Sequence, residues 1–331
     1  MSQSFSRGRR KMFDKKCTVI DGREAILVTG LTDYSLRDTL ECGQCFRYAL
    51  LTSREGYDEY MTVVGDILVF VAQRSPDELI FFGVTEEELD GVLVRYFALD
   101  KDYAAIRGDI CSRADSEFLR EAVKHGDGIR ILAQDPWEAL FSFIISQNNN
   151  IPRIRKIVAA ISAAYGRNLA PERGISKCPK ACGGYCSDGS KLDTGSCSEC
   201  GMCYTFPTAR GVAESPEGLL PSHPGFRFRY LTDAAEKVAS GQIKLDEISS
   251  AASYAYTVDE LKKITGVGDK VASCTALFGF GNLEAFPIDV WMKRAIDEYF
   301  GGKLDPSNLG DYAGVAQQYI FHYIRYLTEN K

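Results

Sequence analysis

Residues 261–274 read LKKITGVGDKVASC, in which Thr265-Gly-Val-Gly268 separates two short amphipathic segments. The pattern predicts one helix over residues 258–264, a tight hairpin, and a second helix over residues 270–278. Glycine adopts positive φ and lets other groups approach the backbone closely, and the amides that open a helix point outward at an anion. The hairpin therefore predicts a place to hold a phosphate, although the glycines alone fit an ordinary helix end equally well.

Lys270 and Asp289 add two reactive groups to this hairpin. Lys270 lies in the first turn of the second predicted helix, where the positive end of the helix dipole disfavours an ammonium and favours a nucleophilic amine. Asp289 follows in FPIDVW (286–291) and suits the N-cap of the next helix, a role that would by itself explain the residue. A phosphate grip, an amine and a carboxylate together indicate chemistry on a sugar in a nucleic-acid backbone.

The composition is that of a globular protein and limits the kinds of partner. The chain has 331 residues, of which 45% are hydrophobic and 25% charged, so two or three domains are expected. A formal charge of −6 is unusual for a nucleic-acid binder, but basic clusters survive locally at residues 153–156 and 227–229. Residues 1–11 do not resemble a secretory signal and no run approaches a membrane span, so we expect a cytoplasmic protein with no membrane partner.

Strand-like patterns come first along the chain and helical patterns follow. Strands are predicted at residues 25–29, 45–51, 60–64, 67–72 and 78–83, and Thr85-Glu-Glu-Glu88 has the form of a capping box that opens a helix through about residue 99. Further helices are predicted at residues 116–125, 136–146, 153–165, 229–240, 290–300 and 311–329. The predicted fold class is α+β, with a basic tail (1–11), an N-terminal antiparallel sheet domain (12–115) and an all-helical domain (116–331).

Six of the eleven cysteines crowd into an insertion at about residues 172–205. In a chain without an export signal, this clustering favours a structural metal over disulfides. The spacing is compatible with a zinc site and with an iron–sulfur cluster, and an insertion without a metal is the alternative. The candidate ligands are Cys178, Cys182, Cys186, Cys197, Cys200 and Cys203.

Five motifs in order along the chain resemble the 8-oxoguanine DNA glycosylase family of the helix-hairpin-helix superfamily. They are TLECGQCFRY (39–48), QDPWEALFSFI (134–144), NNNIPRI (148–154), the hairpin with its lysine and aspartate, and YAGVAQQYIF (312–321). The resemblance covers roughly residues 12–328 apart from the cysteine insertion. It implies a bifunctional glycosylase and lyase of base excision repair, which acts as a monomer on double-stranded DNA and needs no cofactor for the chemistry.

The resemblance also implies roles for individual residues. Lys270 would attack C1′ of the flipped nucleotide and form a Schiff base, β-elimination would nick the strand, and Asp289 would stabilise the sugar cation. The base would be recognised by the Gly43 carbonyl, by Gln317 at the Watson–Crick edge, by Phe321 and Cys274 on the two ring faces, and by Trp291. Contacts with DNA and with the orphaned cytosine would come from Asn148, Arg153, Phe226, Arg227, Gly266 and Gly268.

Two other functions stay compatible with these residues. The same lysine chemistry could act on a different oxidised base, and a noncatalytic damage-binding protein could use the same scaffold. Phe226 stands where the family often has Tyr, and Trp291 where eukaryotic relatives have His. These two departures are typical of a bacterial-type branch, and they leave the requirement for an opposite cytosine open.

Overall fold

The computed structural model describes residues 12–174 and 201–330, in which an antiparallel sheet is followed by helices. The basic tail (1–11) and most of the cysteine insertion lie outside the described residues. The predicted α+β class is confirmed, whereas the proposed domain division at residue 115 stays a prediction. The sheet has the strand order β1-β2-β6-β5-β4-β3. Its strands are β1 (Asp14–Ile20), β2 (Arg23–Thr29), β3 (Tyr48–Arg54), β4 (Tyr57–Val64), β5 (Ile67–Gln73) and β6 (Glu78–Phe82).

Strand β1 is absent from the sequence-based prediction. It lies at the edge of the sheet and pairs with β2 alone, and its side chains are exposed or only half-buried. An edge strand rich in charge has little of the apolar alternation that identifies a strand from sequence. The backbone hydrogen bonds to β2 define this strand, and its own sequence does not indicate them.

The helices are α1 (Leu36–Glu41), α2 (Glu86–Glu88), α3 (Val94–Tyr96), α4 (Tyr103–Arg113), α5 (Glu117–His125), α6 (Pro136–Ser146), α7 (Ile151–Tyr165), α8 (Ala209–Glu214), α9 (Phe228–Ala239), α10 (Leu245–Ala251), α11 (Tyr254–Leu261), α12 (Asp269–Phe278), α13 (Val290–Tyr299) and α14 (Ala313–Glu329). A π-helical stretch, Leu89–Leu93, joins α2 to α3. The predicted capping box is present, because Thr85 Oγ1 accepts from the Glu88 amide and the Glu88 carboxylate accepts from the Thr85 amide. Helices α1, α4, α8 and α10 were not predicted, and three of these four have only six or seven residues.

Both faces of the sheet are buried at β4 and β5. Tyr60 and Val64 of β4 pack towards α1 and the π-helical stretch, while Met61 and Val63 face a second cluster that includes Ala159 of α7. Alternate residues of a strand point to opposite faces, so a strand covered on both sides reads as a continuous apolar run. This explains why the segment from β4 to β5 is the most hydrophobic part of the sequence.

The helices surround α6, in which every residue from Trp137 to Ile145 except Glu138 is buried. Proline at its first position and the Asp135 side chain, which accepts from the Glu138 amide, fix where α6 begins. Helix α12 packs against α6, and their rings stack where Phe143 meets Phe278 at 5.4 Å. This rigid central pair supports the hairpin. In the described part of the chain, no helix has the length and apolar content that a membrane span needs.

Candidate active site

The predicted hairpin is present between α11 and α12. Gly266 has φ of +81°, a conformation that favours glycine, and Gly268 is the N-cap of α12. No side chain caps this helix, so its first amides are left without the partner that most helix starts have. A Cβ at Gly268 would meet no atom within 4 Å, which means that this end of the helix opens onto free space. Open amides at the start of a helix favour an anion at that position.

Lys270 projects from the first turn of α12 and is half-buried. Its Nζ donates to Ser146 Oγ at 3.2 Å and lies 5.2 Å from the centroid of the Phe143 ring. Both partners belong to α6, so the central helix of the domain fixes where the amine can sit. An amine that is held by one hydroxyl and one aromatic face, with access to solvent, is placed to meet an electrophile.

Cys274 lies one turn beyond Lys270 and is buried. Burial raises the pKa of its thiol, and the charge of Lys270 acts in the opposite direction. The charge of Asp289 also raises the pKa of this thiol. Cys274 therefore stays a protonated, apolar wall of the site.

Asp289 is the N-cap of α13, as predicted. Its Oδ1 accepts hydrogen bonds from the Trp291 amide at 3.0 Å and the Met292 amide at 2.9 Å. These bonds fix the orientation of the carboxylate, because a carboxylate at a helix N-terminus faces the positive end of the dipole. The two neighbours are exposed although they are apolar, Ile288 by 39% and Val290 by 75%. The carboxylate thus stands on an apolar surface that the protein leaves uncovered.

The structure brings three of the predicted base-recognition residues together from opposite ends of the chain. Gly43 has φ of +86°, and a Cβ there would lie 3.5 Å from the Phe321 ring and 3.4 Å from Ile151 Cδ1. Gln317 lies one turn before Phe321 on α14 and is only 5% exposed. Among the described residues its buried Oε1 has no hydrogen-bond partner. A buried acceptor without a partner is costly unless a ligand satisfies it.

The loop that carries Gly43 is held rigidly. Gln318 Nε2 donates to the Cys42 carbonyl at 2.9 Å, which ties α14 to the loop. Gln44 Nε2 donates to the Thr39 and Arg130 carbonyls at 2.7 Å each, while its Oε1 accepts from the Leu132 amide at 2.8 Å. Every polar atom of the buried Gln44 amide is therefore used, and the loop cannot drift relative to α14.

The predicted opposite-base residues also gather, but Arg227 is not on the surface. It is 3% exposed, and its guanidinium donates to the carbonyls of Gln147 at 2.8 Å and Asn148 at 2.9 Å. Asn148 is exposed with φ of +49°, and Arg153 is exposed on α7. Desolvation lowers the pKa of Arg227, and the nearby charge of Arg153 lowers it further. Phe226 is 51% exposed beside this cluster.

Trp291 is half-buried against the helical core at the start of α13. Its amide serves the Asp289 cap. Its role in recognition of a base stays a prediction.

The comparison with known proteins agrees with this geometry. The family model of the 8-oxoguanine DNA glycosylase N-terminal domain matches residues 26–140. The N-glycosylase/DNA lyase of Saccharomyces cerevisiae is 27% identical over 287 residues, which cover 81% of this chain and 69% of the yeast protein. The structure of the Clostridium acetobutylicum 8-oxoguanine glycosylase/lyase with double-stranded DNA containing cytosine opposite 8-oxoguanine is 30% identical, with a TM-score of 0.75, and covers 97% of this chain and 99% of that one.

The structure of MBOgg1 in complex with a low-affinity DNA ligand is 32% identical to this chain, with a TM-score of 0.76. The match covers 96% of this chain and 99% of that one. The chain belongs to the 8-oxoguanine DNA glycosylase family. This glycosylase shares its overall fold with the relatives over nearly its whole length, as the five sequence motifs predicted.

Sequence reasoning missed several residues that contact the predicted site residues or the segments carrying them. Ser146 precedes the asparagine run, and nothing in the local sequence distinguishes it from any serine at a helix end. Gln318 had a signal, because two adjacent glutamines interrupt the otherwise apolar first half of α14. Tyr230 and Asp233 of α9 were missed because their partners lie in the hairpin, more than thirty residues away.

Cys203 is the one predicted metal ligand that the described residues include. It is fully buried, and its Sγ lies 3.8 Å from Met61 Sδ of β4. The adjoining Gly201 packs so closely on α7 that a Cβ would lie 1.8 Å from the Ala159 carbonyl oxygen. Within residues 12–174 and 201–330, no three side chains of His, Cys, Asp or Glu gather as a metal site. The other five cysteines lie outside the described residues, so the metal stays a prediction.

Proposed function

We propose that this protein is a bifunctional DNA glycosylase and lyase that excises 8-oxoguanine from double-stranded DNA in base excision repair. The observation that carries the proposal is the half-buried Lys270 amine of α12, held 3.2 Å from Ser146 Oγ, with the Asp289 carboxylate capping the next helix. The membership of the family supports the substrate, since the Clostridium relative is an 8-oxoguanine glycosylase/lyase in a complex with DNA. In this proposal, a DNA phosphate binds the open amides at the start of α12, and a flipped base donates a hydrogen bond to Gln317 Oε1.

The chemistry follows from the positions of these two groups. The unprotonated Nζ of Lys270 attacks C1′ of the flipped nucleotide, and the N-glycosidic bond breaks with its electron pair leaving on the base. The base takes up a proton, the sugar ring opens, and a Schiff base forms between Nζ and C1′. Loss of a C2′ proton then expels the 3′ phosphate, which nicks the strand. Asp289 stabilises the positive charge that develops on the sugar as the base departs.

Recognition of the base uses the pocket of Gly43, Gln317 and Phe321. The Watson–Crick edge of 8-oxoguanine carries N–H donors, and Gln317 Oε1 is a buried acceptor without a partner in the described part of the chain. Phe321 offers its ring to the base for stacking. The Gly43 carbonyl would accept from N7–H, a donor that guanine lacks, so one acceptor distinguishes the two bases.

The opposite strand is contacted by Asn148, Arg153 and Arg227. Asn148 would occupy the space that the extruded base leaves, and Phe226 would act as a wedge beside it. Cytosine presents acceptors at N3 and O2, as the Gln147 and Asn148 carbonyls do. Arg227 would exchange these carbonyls for the cytosine, so its guanidinium would keep acceptors for its hydrogen bonds. Arg153 is already exposed and needs no such change.

We also propose a structural metal in the cysteine insertion, with no part in the reaction. Cys203, near the end of the insertion, is anchored between the sheet and α7, and the insertion precedes Phe226 in the sequence. Metal analysis of the purified protein distinguishes the ions, because an iron–sulfur cluster absorbs visible light and zinc does not. Protein that contains neither metal after anaerobic purification would refute the proposal.

Borohydride trapping tests the proposed function. The protein is incubated with a duplex that contains one 8-oxoguanine opposite cytosine, and reduction of the Schiff base leaves a covalent adduct. Lys270→Gln should abolish the adduct, while its Kd for the duplex stays within about threefold of the wild-type value. Lys263→Gln is the matched control, because Lys263 is an exposed lysine of the same hairpin.

Each alternative function predicts a different result. An adduct that survives in Lys270→Gln would refute the nucleophile, and base release without an adduct would indicate a monofunctional enzyme. An adduct only with another oxidised base would change the substrate and keep the chemistry. Binding of the lesion with neither release nor adduct would indicate a noncatalytic protein.

A further inference from the structure

Helix α9 presents one face to the hairpin. Phe226, Tyr230, Asp233 and Lys237 follow one another at spacings of four, three and four residues, so they lie along the same side of the helix and the turn before it. The turn Gly225–Arg227 contains the proposed wedge, and α9 begins directly after it. The face therefore runs from the wedge at one end towards the hairpin at the other.

Three contacts join this face to the hairpin. The Tyr230 ring covers Gly266 so closely that a Cβ there would lie 2.4 Å from a ring atom. Asp233 accepts a hydrogen bond from the Thr265 amide at 2.7 Å, and its carboxylate pairs with Lys237 at 2.9 Å. Lys237 Nζ in turn donates to the Lys263 carbonyl at 2.7 Å. The hairpin backbone is thus held by α9 on consecutive turns.

The other end of the face carries the wedge. Phe226 packs edge-on against Tyr230, with ring centroids 5.9 Å apart. Arg229 donates to the Tyr230 hydroxyl at 2.8 Å and lies 4.8 Å from its ring, which limits how the ring can turn. Phe226 itself is 51% exposed, so it can move without breaking a core. Any displacement of the wedge is transmitted to a ring that touches the hairpin.

We infer that Tyr230 and Asp233 are positioning residues that couple insertion of Phe226 into DNA to the placement of the hairpin and of Lys270. The inference rests on the proposed function, because it assigns the wedge to Phe226 and the nucleophile to Lys270. Lys270 lies four residues after Gly266, at the start of the helix that the hairpin aims. A shift of Tyr230 therefore changes both the phosphate grip and the reach of the amine. Such a link makes the two events cooperative, since each favours the same arrangement of α9 and the hairpin.

A double-mutant cycle tests this coupling. The four proteins are wild type, Phe226→Ala, Tyr230→Leu and the double variant, and Kd is measured for a duplex with a tetrahydrofuran abasic analogue. The rate of borohydride trapping at saturating concentration of a true abasic duplex is the second readout. In the wild-type background, Phe226→Ala should raise Kd about tenfold and slow trapping about tenfold. In the Tyr230→Leu background, each of these changes should be less than about twofold.

Three further variants separate coupling from loss of folding. Tyr230→Phe keeps the ring and should retain the full tenfold effect of Phe226→Ala. Asp233→Ala removes the acceptor of the Thr265 amide. It should slow trapping at saturating DNA several-fold, and it should change this rate more than it changes Kd. Tyr256→Leu is the matched control, because Tyr256 is a partly exposed tyrosine of α11, and it should leave the Phe226→Ala effect unchanged. The Asp233→Ala background supplies a second cycle where Tyr230→Leu is unstable.

The same fold loss on Phe226→Ala in every background would overturn the inference. So would an Asp233→Ala variant that traps abasic DNA at the wild-type rate. Because the cycle uses abasic duplexes, a failure to excise 8-oxoguanine would refute the proposed substrate and leave the coupling measurable. The two proposals therefore fail separately.

Discussion

The two glycines of the hairpin should respond in opposite ways to substitution by alanine. Gly266 has φ of +81°, and its added Cβ would lie 2.4 to 2.5 Å from three atoms of the Tyr230 ring. Gly268 has φ of −101°, and its added Cβ would meet nothing within 4 Å. Gly266→Ala therefore perturbs the folded protein, whereas Gly268→Ala places a methyl group where we propose that a phosphate approaches.

The magnitudes follow from these contacts. A left-handed conformation costs a non-glycine residue about 1 to 2 kcal/mol, and displacement of a packed ring costs about 1 to 3 kcal/mol more. We expect Gly266→Ala to lower the free energy of unfolding by about 2 to 5 kcal/mol. For Gly268→Ala, the poorer N-cap and the lower entropy of the unfolded chain oppose each other, so stability should change by less than about 1 kcal/mol. Its Kd for DNA should rise about tenfold, which is about 1.4 kcal/mol.

Two assays on the same preparations separate these effects. Urea denaturation followed by circular dichroism gives the free energy of unfolding, and fluorescence anisotropy with the tetrahydrofuran duplex gives Kd. Gly241→Ala is a matched control, because this glycine also has positive φ and no atom near its Cβ position. It should cost only the conformational part, about 1 to 2 kcal/mol, without a change in Kd.

The reasoning would be refuted by either of two results. Equal destabilisation by Gly266→Ala and Gly241→Ala would show that the Tyr230 ring does not constrain the hairpin. Unchanged affinity in Gly268→Ala would show that no phosphate approaches the start of α12.

Three other substitutions test the rest of the site. Asp289→Asn should keep the cap and the stability, because asparagine caps as well as aspartate. It should nevertheless slow base excision by about a hundredfold or more in single-turnover assays. Asp289→Ala should slow excision and also lose about 1 kcal/mol of stability. Gln317→Ala should lower kcat/KM for the 8-oxoguanine duplex about tenfold and leave Kd for undamaged duplex unchanged; equal loss on both would exclude Gln317 as a base reader. Burial raises the pKa of the Cys274 thiol, so the folded state holds this proton more tightly than the unfolded chain does. The stability that the protonated thiol contributes is complete below the ordinary thiol pKa. It is lost as pH rises through the raised value. Wild type should therefore lose more stability than Cys274→Ala between about pH 8 and about pH 10, and parallel losses in urea denaturation at the two pH values would contradict this.

The local features of the site could be predicted because short segments specify them. Each of these features depends on residues only a few positions apart. They are the hairpin glycines Gly266 and Gly268, the amine in the first turn of the next helix, and the cap at Asp289. The order of strands and helices likewise follows from local periodicity, and the capping box at Thr85 is present as predicted. The exposed edge strand β1 was missed because its pairing with β2, rather than its own sequence, defines it.

The sequence by itself therefore determined the reactive residues, the hairpin that presents them and the α+β order of elements. Only the tertiary structure decided what these residues face. The contact of Gly43 with Phe321 spans almost the whole chain, the amine of Lys270 is placed by Ser146 of another helix, and the guanidinium of Arg227 is turned inward by two backbone carbonyls. Such contacts depend on how separate elements pack, and the free energy of packing is shared among many residues that no short segment contains.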